Sequence, residues 1–153
     1  MSNKIAILMG SESDRLTMEA GLPYLDYFKI DYEVHVMSAH RTPNLVSEFS
    51  TKAKESGYSV IIAGAGMAAH LAGAVKANTT LPVIGVPLPG GVMDGVDSLL
   101  STVQMPKGVP VATVAVGKAG SINAAVLSAE IIALSNEAVH AKLIEFKSNG
   151  ASI

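Results

Sequence analysis

Three short stretches of this 153-residue chain concentrate the side chains that do chemistry. The first is Gly10-Ser11-Glu12-Ser13-Asp14. Small residues admit a ligand to the backbone, and serine hydroxyls beside free amides at a helix start form an anion site that the helix dipole favours. Asp14 suits sugar hydroxyls, or it caps the helix together with Ser13. The second stretch is Ser38-Ala39-His40-Arg41. Arginine presents a planar fork matched to phosphate or carboxylate, and histidine moves a proton at neutral pH. The plain alternative is a surface pair flanking a helix start. The third is Gly64-Ala65-Gly66-Met67-Ala68-Ala69-His70. Its small residues again allow close approach, and His70 falls roughly one turn into a helix expected from Ala68. A histidine among apolar residues is also an ordinary core residue.

Other chemistries find no support. Gly64 and Gly66 lack the third glycine, and the acidic partner about 20 residues on, of a dinucleotide fingerprint. No His and carboxylate spacing suggests a metal site, and there is no Gly-x-Ser-x-Gly elbow or Walker loop. Cysteine is absent, so there is no thiol nucleophile, disulfide framework or thiolate zinc. His35 alternates along an edge strand and His140 sits on a polar terminal helix, so both read as structural.

The elements that must position these stretches alternate between strand and helix. Lys4 to Met9 is a short apolar run, a buried strand. A helix follows to about Phe28, with a kink or late start at Gly21 and Pro23. Asp31 to Met37 alternates in the manner of an edge strand. Thr42 is a good N-cap and Pro43 a good first helical residue for a helix ending near Gly57. Ser59 to Ala63 is the third strand, Gly64 to Gly66 its turn, and Ala68 to about Thr79 the third helix. Pro82 to Val86 is a fourth strand, and Val96 to Val103 a short helix. Val109 to Val116 carries no charge and reads as a central or well-covered fifth strand. Two helices close the chain, an apolar one over Ser121 to Leu134 and a more polar one over Asn136 to Lys147. Strands joined by helices imply right-handed crossovers and a parallel sheet covered on both faces. Ligands in such sheets bind at the carboxyl ends of the strands, where the strand order reverses. The loops after the first three strands are therefore where the chemistry is expected.

Composition narrows the class further. Eleven basic residues stand against 13 acidic, a net charge of -2, which argues against nucleic-acid binding. Charged residues make up 16%, where about 25% is ordinary. Hydrophobic residues reach 49% with a mean hydropathy of +0.39, carried by small side chains. A domain so poor in charge is expected to hide surface against copies of itself, as a homo-oligomer. The uncharged stretch Ser56 to Val75 is broken by Gly57, Gly64, Gly66, His70 and Gly73, so no membrane span is expected. The apolar run near Met1 is too short for a signal peptide, and the expected location is the cytoplasm. No linker or repeat appears, so residues 1–135 form a single domain and 136–153 a terminal helix and tail. Val139, Leu143 and Phe146 would seat that helix on its own domain or on a neighbouring subunit.

Taken together, Met9 to Asp14, Ser38 to Pro43, Ile61 to Gly66, Ala68 to Leu71, Val96 to Leu99 and Val103 to Pro106 resemble the N5-carboxyaminoimidazole ribonucleotide mutase family of purine (IMP) biosynthesis. The likeness extends from the first strand to about Leu134. It implies an α/β, flavodoxin-like three-layer sandwich with a five-stranded parallel sheet ordered 2-1-3-4-5, and an octamer. It implies an isomerase that moves a carboxylate from the exocyclic nitrogen of its substrate to ring carbon 4, with no ATP, metal or biotin. His40 would be the acid and base, and His70 would stand in the CO2 pocket with Gly64, Ala65, Gly66, Ala69 and Leu71 around it. Ser11, Asp14 and Arg41 would contact the substrate, and Ser13 and Ser38 would help hold its phosphate. Arg41 in place of lysine separates the chain from a sister branch that carboxylates with free CO2. Met67 and Ala72 stand where the resemblance calls for Gly and Pro, and Leu88 to Asp94 departs from its Gln-Ser-rich loop. Two other readings remain at this point. One is a divergent carboxylase of a related nucleotide. The other is a non-catalytic binder of a phosphate-bearing cofactor such as FMN, although these loops offer no aromatic for a flavin ring.

Overall fold

A computed structural model describes residues 3–153; residues 1 and 2, which the sequence reading counts in the single domain, lie outside the described residues. Its centre is a parallel sheet of five strands, β1 (Lys4–Met9), β2 (Asp31–Val36), β3 (Tyr58–Gly66), β4 (Val83–Leu88) and β5 (Ala112–Thr113), in the order β2-β1-β3-β4-β5. This is the expected flavodoxin-like order, and it follows from sequence chemistry. β1 buries every side chain from Ile5 to Met9, so it needs cover on both faces and takes a central place. Alternation sends Ile5, Ile7 and Met9 to one face and Ala6 and Leu8 to the other.

Each face has its own apolar layer. On the first, the sheet meets α1 (Arg15–Met18), α2 (Leu22–Phe28), α6 (Lys118–Ala133) and α7 (Glu137–Ser148) through Met18, Leu25, Phe28, Ala125, Ile132 and Phe146. On the second it meets α3 (Pro43–Lys52) and α4 (Leu71–Lys76) through Val46, Leu71 and Val75. The small helix α5 (Val96–Val103) covers β4.

The first connection is broken rather than continuous. A 3-10 turn at Glu12–Asp14 leads into α1, and a second at Glu19–Gly21 leads into α2, with Pro23 in the first turn of α2. That matches the expected kink. Gly21 is required there because Ser121 of α6 presses on it: Ser121 Oγ accepts the Gly21 N–H at 3.2 Å and donates to the Met18 carbonyl at 2.5 Å.

Two expectations about strands need correction. β5 is only Ala112–Thr113, and it lies at the sheet edge beside β4, neither central nor covered. Val111, Val114 and Val116 remain partly exposed in the single chain. An apolar run without charge therefore marked surface left uncovered by this chain. β3 continues through Gly64–Gly66, which the sequence reading took as a turn, because Ala65 and Gly66 still pair with Pro87 and Leu88. The terminal helix α7 buries Val139, Leu143 and Phe146 on its own domain, where Phe146 meets Phe28 edge-on at 5.3 Å. Its far side keeps Ile144 exposed, as is Leu134 just before it. No helix among the described residues is long and apolar enough to cross a membrane.

Candidate active site

The strand order reverses between β1 and β3, and the loops leaving the carboxyl ends of β1, β2, β3 and β4 enclose one cavity of about 400 Å³. That volume lies within the common range for small-ligand sites, about 300–1,000 Å³. Ser11, Ser13, Asp14, Ser38, His40, Arg41, Ala65, Gly66, His70 and Leu71 all line it. Three loops far apart in the chain thus converge as the sequence reading required.

The first loop wraps around Ser11. Its Oγ accepts the Ser13 N–H at 3.3 Å and the Ser13 hydroxyl at 2.9 Å. A serine oxygen that has accepted twice still has its own proton to donate. Asp14 follows, with burial pushing its carboxyl above the ordinary value while the Ser11 backbone and the Arg41 charge oppose that shift. The Arg41 effect ties the first loop to the second across the cavity.

The second loop is a tight turn between β2 and α3. Ser38 Oγ accepts the N–H groups of His40 at 3.2 Å and Arg41 at 3.1 Å. Like Ser11, Ser38 spends its acceptor capacity inside its own loop and keeps one O–H free for an oxygen-rich ligand. Two hydroxyl donors and one guanidinium around a single cavity make an anion cradle.

The third loop brings the principal finding. His40 Nε2 stands 2.6 Å from His70 Nδ1, the rings perpendicular at 89° with centroids 4.8 Å apart. One ring donates its N–H and the other accepts. His70 is the residue just before α4, which begins at Leu71, rather than one turn inside a helix from Ala68. Met67, three residues before His70, is left-handed (φ 54), so the chain there is not yet helical. This pairing was invisible in the sequence, where 30 residues separate the two rings.

Two expected lining residues do not reach the cavity. Gly64 is buried within β3, where a side chain would collide with Met18, and Ala69 is buried at 1% exposure. A fourth loop joins the three expected from the sequence. Pro89 and Gly90, after β4, complete the wall. The rule that points to strand carboxyl ends covers that loop equally well. It is held by carboxylates: the Gly90 N–H reaches Asp94 and the Val92 N–H reaches Asp97, both at 3.0 Å.

Met67 is 66% exposed at the rim, so its bulk points away from a packed interior. A non-glycine left-handed residue costs of order 1 kcal/mol, and glycine recovers this at a similar entropic cost in the unfolded chain. Met67→Gly should therefore leave the thermal midpoint nearly unchanged, within about two degrees. Met67→Ile, β-branched at the same φ, should lower it by several degrees in the same calorimetric scan. Ala72 lies buried in the first turn of α4, where the helical backbone accepts either alanine or proline.

The other histidines lie elsewhere. His35 Nε2 is 3.2 Å from the Tyr58 hydroxyl and its ring packs on Phe49 at 4.8 Å. Tyr58 donates to Glu33, which Lys4 also meets at 2.7 Å; burial and then Glu33 hold the Tyr58 hydroxyl above its ordinary pKa. His140 faces Glu137 on the exposed side of α7. No group of three or more potential metal ligands occurs among the described residues.

A family model described as AIR carboxylase matches residues 4–152. The N5-carboxyaminoimidazole ribonucleotide mutase of Aliivibrio fischeri is 52% identical over 144 residues, 94% of this chain and 89% of that one. The enzyme of the same name from Bacillus subtilis is 51% identical over 149 residues, 97% of this chain and 92% of that one. Among solved structures, PurE of Treponema denticola superposes with a TM-score of 0.87 at 28% identity, covering 97% of this chain and 91% of that one.

Proposed function

Because this chain belongs to the AIR carboxylase family, we propose that it is an N5-carboxyaminoimidazole ribonucleotide mutase of purine biosynthesis, with His40 and His70 as its proton-handling pair. The single observation that carries the mechanistic part is the 2.6 Å contact between two exposed rings that line the same cavity as the anion cradle.

The substrate's phosphate takes the hydroxyl protons of Ser11 and Ser38 and the Arg41 fork, with Ser13 supporting Ser11. Asp14, beside them, accepts from the ribose hydroxyls. The imidazole ring then lies toward His40 and His70. The exocyclic nitrogen–carboxyl bond breaks, releasing CO2, and that nitrogen takes a proton from His40. Ring carbon 4 attacks the retained CO2 and forms the new carbon–carbon bond. His40 removes the proton from carbon 4 and is restored. Atoms and protons balance, since product and substrate are isomers. His70 accepts or donates the shared proton as His40 changes state, so neither ring is left as an unpartnered charge. Ala65, Gly66 and Leu71 wall the space in which CO2 must wait, and closeness replaces a bimolecular encounter.

The same reading includes a homo-octamer in the cytoplasm. Leu134 and Ile144 exposed beside α7, and the open β5 edge, support assembly with further copies. The test is to mix the purified chain with N5-carboxyaminoimidazole ribonucleotide, without ATP, and follow appearance of the carbon-linked acid while sedimentation reports its size. Stoichiometric conversion by a large assembly is expected; absence of product would refute the mutase, and a stable active monomer would refute the octamer.

A further inference from the structure

Thr42 opens α3, the position where threonine ordinarily caps, yet its hydroxyl makes no cap. It turns back across the preceding loop instead. Oγ1 accepts the Ser38 N–H at 2.9 Å and donates to the Ser38 carbonyl at 3.2 Å. The Thr42 N–H reaches that same carbonyl at 2.9 Å. One side chain therefore closes the turn by both of its hydrogen-bonding functions, and Ala39, His40 and Arg41 are the three residues enclosed between its ends. Ser38, the other end of this closure, holds the His40 and Arg41 amides from the opposite side.

We propose that Thr42 is a positioning residue for His40, acting through the hydroxyl that ties Thr42 to Ser38. This rests on the mutase reading for its kinetic expression but not for its geometry. A ring nitrogen 2.6 Å from its partner tolerates little displacement, because proton transfer depends on hydrogen-bond reach. A misplacement of about 1 Å can cost about 100-fold in rate. Arg41 answers the same loosening differently: its long side chain can still follow an anion when the backbone moves by a fraction of that distance. The clamp therefore weighs on the chemical step more than on binding.

The test compares Thr42→Val, which keeps the shape and deletes both hydroxyl bonds, with Thr42→Ser, which keeps them. Thr42→Val should lower kcat about tenfold or more, with KM changed by no more than about threefold. Thr42→Ser should recover most of the rate. A structural role alone would lower the thermal midpoint and leave kcat per folded site intact. Near-normal kcat in Thr42→Val, or no rescue by serine, overturns the proposal. Wild-type enzyme is the control for the mutase reading: if it fails to convert N5-carboxyaminoimidazole ribonucleotide, that reading falls by itself. Crystal structures of both variants then decide the clamp. The His40–His70 contact should be lost in Thr42→Val and kept in Thr42→Ser, and a contact intact in the valine variant would overturn it.

Discussion

His40→Asn should abolish turnover while nucleotide binding survives. Asparagine approximates the shape of the imidazole and can still hydrogen-bond to His70, but it neither gives nor takes a proton near neutral pH. General acid–base catalysis by one side chain is worth roughly 100- to 10,000-fold. In the proposed cycle His40 would serve in both directions, so the loss belongs at the upper end, about 1,000-fold or more in kcat. Binding of the product nucleotide, read by calorimetry, should stay within about threefold, since Ser11, Ser38 and Arg41 are untouched. A variant turning over at a near-normal rate would remove His40 from the mechanism. Unchanged chemistry with collapsed binding would instead make His40 a ligand-positioning group.

That expectation draws on features of unequal visibility in the sequence. The sheet was legible because apolar runs such as Ile5 to Met9 end at residues that cannot continue a strand or that begin a helix. The three loops were legible because glycine, serine, arginine and histidine cluster there, directly after the strand ends. Contacts created by the fold were not legible. Nothing near His40 announces His70; only the placing of β2 and β3 on either side of β1 brings the loops that follow them to one rim. By type Thr42 reads as a cap and Ser38 as a phosphate donor; the Thr42 hydroxyl makes no cap and is drawn back onto Ser38, whose own oxygen accepts from within the turn. Local propensity states what a side chain can bond, and the turn decides which partner is nearer. β5 misled for a different reason. Val109 to Val116 is apolar enough for a sheet centre, and a single chain offers it only the β4 edge, so the pattern carries information about surface that one copy does not cover.

Arg41→Ala provides the second large effect, separable from the first by its kinetic form. Arg41 is exposed on the tip of the β2–α3 turn, and its charge acts on Asp14 across the cavity. A guanidinium on a phosphate makes charge-assisted bonds, each worth about 1.5–3 kcal/mol. Removing the fork should cost near the top of that range, about 100-fold in kcat/KM. The phosphate keeps its charge and place from substrate through transition state, so the contact is uniform binding and its loss falls on KM. kcat should stay within about threefold, opposite to His40→Asn. Arg41→Lys should recover only part of the affinity, because a point charge replaces a two-pronged one. Wild-type KM should also rise with ionic strength more steeply than that of Arg41→Ala, as screening weakens an interaction the variant no longer has. An unchanged KM in Arg41→Ala would mean that the anion sits elsewhere, and the two serine hydroxyls would then lose their assigned ligand as well.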